Sequence, residues 1–321
     1  MFLSVFDMFK VGIGPSSSHT MGPMVAAGMF LDLLRQSPFK PLGLKVRLHG
    51  SLAFTGQGHA TDRAILLGLA GFKPATFDAI KADKVFQKLK SNKIVQPDGL
   101  PKMRLDPAQD IHFDYGKALP GHANGLVLMA TDAQGDILHQ QTYYSVGGGF
   151  VVTEAELFNG SAVGDLEDYP NKFETAKALL EICHIKGKSI AEIKRENELS
   201  RRTTAELDEG LSNIWDTMNS CMNRGLVTSG ILPGGLNVKR RAKGIYDSLM
   251  SERGINISAP HTINDWMSVY AMAVNEENAD GGQVVTAPTN GAAGVIPATI
   301  RYWLEHVPGS SVQRISEFLL T

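Results

Sequence analysis

The sequence predicts an α+β protein, with an N-terminal α/β domain on a mixed sheet followed by a mainly α-helical domain. Three observations carry this. The 321 residues are 43% hydrophobic, more chain than one core usually holds, since single cores seldom grow past roughly 250 residues. Between residues 45 and 152, short runs rich in valine, leucine and aromatics alternate with turn residues and helical stretches, whereas from Lys172 onward apolar residues recur at helical spacing. Between the two lies ELFNGSAVGDLEDYPN, polar, acidic and turn-rich, which is the composition of a linker. The expected boundaries are 1–153, a linker at 154–171, and 172–321.

The elements follow in order. GPMVAAGMFLDLLRQ has the apolar spacing of an amphipathic helix, LKVRLHGSL reads as a strand, and TDRAILLGLAG and DKVFQKLKSN return to the helical period. DIHFDY, NGLVLMATD and ILHQQTYYSV read as strands, with TDAQGDI as the hairpin turn between the last two and GKALPGHANG as a glycine-rich loop feeding the first of that pair. A short strand, FVV, follows Gly147, Gly148 and Gly149. In the second domain the helices are FETAKALLEICHIKGK, SIAEIKRENELSRR, TTAELDEGLSNIWDTMNSCMNRGL, INDWMSVYAMAVNEEN and AAGVIPATIRYWLEHV.

Composition narrows the function. With 31 basic and 33 acidic residues the net charge is -2, so no summed positive field draws nucleic acid or an anionic membrane. A small uncharged or zwitterionic ligand fits better. MFLSVFDMFK lacks the basic and continuous apolar regions of a signal peptide, and no stretch reaches the roughly 18 apolar residues of a membrane span. The expected location is cytoplasmic. The two cysteines, Cys183 and Cys221, sit in no CxxC or Cys/His pattern, so each is expected to be a structural thiol rather than part of a disulfide framework or zinc site.

Several segments carry chemistry. Ser16, Ser17, Ser18, His19 and Thr20 precede a helix, so hydroxyls and unpaired amides converge at its N-terminus, an arrangement suited to a carboxylate. His19 then moves protons or fixes the loop. The alternative, the weaker of the two for the segment standing alone, is a serine-rich helix cap. HGSLAFTGQGHATDRAILLGL ends a strand in a small-residue loop where His59 lies beside Thr61 and Asp62, residues that bind substrate or cap the next helix. Its GQGH lacks the spacing of a dinucleotide fingerprint. PGHANG supplies His122, and the triple glycine supplies Gly148. In the helical half, Thr289, Asn290 and Gly291 stand at a helix start, and Lys239, Arg240 and Arg241 in LPGGLNVKRRA are either a solvated basic stretch or supply one cation that neutralises a substrate carboxylate or the negative charge of a cluster.

Taken together, MFKVGIGPSSSHTMGPM, HGSLAFTGQGHATDRAILLGL, YSVGGGFV, LPGGLNVKRRA and NEENADGGQVVTAPTNGAAGVIPA resemble the bacterial iron-sulfur-dependent L-serine dehydratases. The resemblance runs along the whole chain, the first part being similar to the family's β domain and the second to the opening of its α domain. It implies conversion of L-serine to pyruvate and ammonia through aminoacrylate, a route of serine catabolism toward gluconeogenesis. It also implies a 4Fe-4S cluster with an open iron site acting as Lewis acid. His19, His59 and His122 are then the candidate bases, His122 being favoured, with Ser16, Ser17, Ser18, Thr61, Asp62, Gly148, Lys239, Thr289, Asn290 and Gly291 as substrate-binding candidates. The family's cluster cysteines lie in a C-terminal stretch that neither Cys183 nor Cys221 matches. The chain is therefore expected to be truncated, its helical domain incomplete and its activity absent without a complementing C-terminal polypeptide; a homodimer is the other expected partner. The alternative is a cluster-free amino-acid-binding or regulatory module.

Overall fold

The alternation in GLKVRLH is realised as a strand whose Leu44, Val46 and Leu48 are each no more than 1% exposed. The structure, a computed structural model, describes residues 3–160, 169–252 and 262–321. Its strands are β1 (Lys10–Ile13), β2 (Gly43–His49), β3 (Ile94–Val95), β4 (Met103–Arg104), β5 (Ile111–Asp114), β6 (Gly125–Thr131), β7 (Ile137–Gly147), β8 (Phe150–Thr153) and β9 (Gln283–Thr286). The helices are α1 (Val5–Met8), α2 (Gly22–Gln36), α3 (Ser51–Phe54), α4 (Thr61–Leu69), α5 (Ala79–Asn92) and α6 (Glu154–Asn159), then α7 (Ala176–Lys186), α8 (Ile190–Leu199), α9 (Thr204–Val227), α10 (Ala242–Glu252), α11 (Thr262–Ala279), α12 (Val295–His306) and α13 (Ile315–Leu320). The α+β class expected from the sequence is the class observed.

The chain divides into two units. One takes Gly12–Ala162 with Gly281–Gln283, the other Met1–Val11 with Val163–Asp280 and Val284–Thr321. In the first, the sheet runs β3-β4-β2-β6-β7-β8, with β5 also beside β2. It is mixed: β2 is parallel to β5 from Val46↔Ile111 to His49↔Asp114, and antiparallel to β6 from Gly43↔Thr131 to Leu48↔Leu126. Against it α2 buries Ala26, Ala27, Phe30, Leu31 and Leu34, the spacing of one helical face, and α4 adds Ile65 and Leu66 to the same core. Each fully buried large apolar side chain contributes about 1.5–3 kcal/mol. Gly68 lets α4 lie close on α2, since a Cβ there would stand 2.7 Å from that of Ala27. Helix α2 ends at Gln36, two residues before Pro38, as proline restricts its predecessor to extended backbone.

In the helical unit, Ser189 with Glu192 and Thr203 with Glu206 form reciprocal capping boxes that start α8 and α9. Two cores form there. One gathers Met222, Trp266, Val269, Tyr270 and Ala273; the other gathers Leu207, Leu211, Ile214, Ile300 and Leu319, together with Val5. Residues 3–11, read with the N-terminal domain, belong to this helical unit: Ser4 Oγ and the Val5 amide donate to the Glu198 carboxylate at 2.8 and 2.7 Å. In the expected linker, Thr153 and Glu156 cap α6, while 161–168 lie outside the described residues. Among the described residues no helix is long and apolar enough to cross a membrane.

Candidate active site

Three segments of the α/β unit meet at the His19 ring. Ser16 is extended and its hydroxyl accepts from the His19 amide at 3.1 Å, while Thr20 Oγ1 accepts from the Ser16 amide at 3.2 Å. The chain then winds through a single π turn, Ser17–Met21, a geometry common at functional sites, and runs on into α2. Gly22 sits where the turn meets β7, and a Cβ there would lie 2.0 Å from Ser145 Oγ. This turn aims the His19 side chain at two hydroxyls: Nδ1 lies 2.9 Å from Ser18 Oγ and Nε2 lies 2.9 Å from Ser51 Oγ.

Ser51 follows the end of β2, and Gly50 places it. At Gly50 φ is +54°, and a Cβ would stand 2.3 Å from the Ala123 carbonyl oxygen, the same oxygen that accepts from the Ser51 amide at 2.8 Å. The His122 loop is thus tied directly to the segment that holds His19. Within that loop His122 Nδ1 accepts from the Asn124 amide at 3.1 Å, and Asn124 Nδ2 donates to the Ser145 carbonyl at 3.0 Å.

His59 completes the cluster, its ring centroid 4.8 Å from that of His19. Burial, and next the neighbouring His59, hold the His19 imidazole below its ordinary pKa, with a hydrogen bond involving Ser51 opposing them. The two other histidines have opposite tautomers. His59 Nδ1 lies 2.9 Å from the Thr55 carbonyl, which only accepts, so Nδ1 carries the hydrogen and Nε2 keeps its lone pair. His122 Nδ1 faces an amide that only donates, so in the neutral ring Nε2 carries the hydrogen.

The remaining predicted residues divide by unit. Thr61 is fully buried and its hydroxyl donates to the His19 carbonyl at 2.5 Å, making it a strut under the turn. Asp62 is half-buried in the first turn of α4. Gly148 stands between Gly147 and Gly149, all three with positive φ, in the tight connection from β7 to β8. In the helical unit Lys239 is exposed on a hairpin bridged at Ile231. Thr289 Oγ1 accepts from the Ala292 amide at 3.2 Å. Buried Asn290 bridges Thr286 and Asn278, at 2.6 and 3.0 Å, and Gly291 beside it is exposed. Ser51, Thr55 and Asn124 carry no sequence signal of their own: Ser51 and Thr55 lie in HGSLAFTGQGH and Asn124 in PGHANG, and no spacing rule distinguishes them there.

An iron-sulfur cluster is held by several thiolates, and this chain has two cysteines, on separate helices. Cys221 is fully buried in α9 and burial pushes its thiol up to about 12; Cys183 is half-buried on α7. Among the described residues no three His, Cys, Asp or Glu side chains form a metal-holding group.

Comparison with known proteins adds the following. Residues 4–156 match the family model described as serine dehydratase beta chain, and residues 185–321 the one described as serine dehydratase alpha chain. The chain is 45% identical over 322 residues to an L-serine dehydratase of Streptomyces coelicolor, covering 100% of this chain and 70% of that protein. It is 39% identical over 321 residues to one of Haemophilus influenzae, and likewise to L-serine dehydratase 2 of Escherichia coli, with 99% of this chain and 70% of each relative covered.

Proposed function

The chain belongs to the L-serine dehydratase family, and from that premise we propose that it binds L-serine and takes the α-proton in the conversion to pyruvate and ammonia through aminoacrylate. The observation that supports this most directly is the pairing of His19 and His59 beside the hydroxyl-rich turn. The substrate carboxylate is held by the Ser18 hydroxyl and by the amides of Ser17 and Ser18, which open the turn and so have no acceptor within it. His59 is the base, because its Nε2 lone pair is available while the Thr55 carbonyl orients the ring. His122, favoured on sequence, acts instead as a donor through Nε2. Kept neutral by burial, His19 relays the position of Ser18 and Ser51 without adding a charge.

Loss of the β-hydroxyl is the part of the reaction that calls for a Lewis acid, and among the described residues no group of His, Cys, Asp or Glu is placed to hold one. The resemblance implies a 4Fe-4S cluster for that step, and Cys183 and Cys221 match none of the ligand positions it implies. We therefore read this chain alone as inactive. The same donor set favours a second reading, a cluster-free amino-acid-binding module.

The test is kinetic, in a preparation that turns over L-serine. His59→Ala should lower kcat about 10²–10⁴-fold with KM little changed, the signature of a group acting in the transition state. A larger loss in His122→Ala would return the role to that residue. Serine binding by a chain that forms no pyruvate under any reconstitution would favour the binding module.

A further inference from the structure

Glu276 and Glu277 are neighbours on α11, 5% and 7% exposed, yet they are satisfied differently. Glu277 lies between two guanidiniums, Arg224 Nε at 3.1 Å and Arg240 Nη1 at 2.7 Å. Glu276 takes backbone amides: Oε1 accepts from Arg241 at 2.6 Å and from Ala242 at 3.2 Å, and Oε2 has only a long contact to Ala242 at 3.4 Å. Among the described residues no cationic side chain pairs with it. A buried carboxylate left without a cation is costly.

Glu276 forms part of the wall of a cavity of about 450 Å³ that is also lined by the cations Lys239 and Arg241 and by the apolar Leu232, Val238 and Met272. The hairpin that carries the two cations is fixed by backbone bonds from Leu232 N to the Val238 carbonyl at 2.8 Å and from Arg240 N to the Gly230 carbonyl at 2.9 Å. Extended backbone sends alternate side chains to opposite sides. Arg240 accordingly turns inward to Glu277 and Asp280, while Lys239 and Arg241 line the cavity. Neither of these two has a carboxylate within 4.0 Å among the described residues, whereas Glu276 lacks a cation.

We infer that this cavity is a binding site for a free aliphatic α-amino acid. Its carboxylate meets Lys239 and Arg241, its ammonium meets Glu276 Oε2, and its side chain lies against Leu232, Val238 and Met272. The volume falls in the range of small-molecule clefts, about 300–1,000 Å³. The charge pattern matches both ends of a zwitterion, and its support is independent of the serine site of the other unit.

Methyl-labelled methionine places an NMR reporter in the cavity at Met272, assigned with Met272→Leu. L-leucine titrated into the full chain should shift that resonance saturably. Isoamylamine and 4-methylpentanoate, each lacking one charge, should bind about tenfold or more weakly, and so should L-leucine to the double variant Lys239→Met, Arg241→Met. Ser18→Ala, in the α/β unit, should leave L-leucine binding unchanged even if the serine reading fails. No shift at Met272, equal binding of either half-charged analogue, or normal L-leucine binding by the folded double variant would overturn the inference.

Discussion

One carbonyl oxygen, that of Thr55, separates two histidines that look alike in sequence, because it accepts and never donates and so leaves His59 with a free lone pair. The serines separate in the same way. The Ser16 hydroxyl caps the turn, so Ser16→Ala should cost roughly 1 kcal/mol of stability without altering serine affinity in folded molecules. Ser18 faces the His19 ring, so Ser18→Ala should weaken serine binding by about 1–3 kcal/mol. Thermal unfolding and titration on the same two proteins check both. His19 also gives a pH signature. Its folded pKa lies below the ordinary 6.5, so on acidification the unfolded chain takes up the proton first. Stability is therefore lost as pH falls from about 6.5 toward the lower folded value, and His19→Gln should flatten that slope in denaturant melts.

At the scale of elements, two glycines hold the site together. Gly22→Ala would push a methyl into Ser145, and Gly50→Ala would both force a positive φ on a side chain and strike the Ala123 carbonyl. The first should cost about 1–3 kcal/mol by overpacking; the second should cost at least as much and should also disturb His122, visible as broadening of its ring resonances. Much of the fold was legible because its signals are local. Ser189 with Glu192 and Thr203 with Glu206 announce their helices, and Leu44, Val46 and Leu48 alternate with polar residues along β2. Strands β3 and β4 are two residues each, too short to carry a period. In the site, the density of hydroxyls around His19 was readable. The contributions of Ser51, Thr55 and Asn124 were not, since each acts through one atom whose place is set by distant backbone.

For the molecule as a whole, thiol chemistry is the simplest probe. The Cys221 thiol, pushed up to about 12, should resist alkylation near neutral pH while half-buried Cys183 reacts, so mass spectrometry should count one label on the native chain and two after denaturation. Supplied anaerobically with iron and sulfide, residues 1–321 alone should develop no stable 4Fe-4S absorption band and no serine-dependent pyruvate. The division into units also imposes an order of birth. The α/β unit needs Gly281–Gln283, whose Gly282 carbonyl accepts from the Gly14 amide at 3.0 Å, and Ser4 waits for Glu198. At ribosomal speeds of about 5–20 residues per second, roughly 6–24 s pass between the emergence of residue 160 and that of residue 281. Through that interval the Gly14 amide lacks its carbonyl partner. The opening segment likewise keeps Val5 and Phe6 uncovered until Leu207, Ile300 and Leu319 have been made.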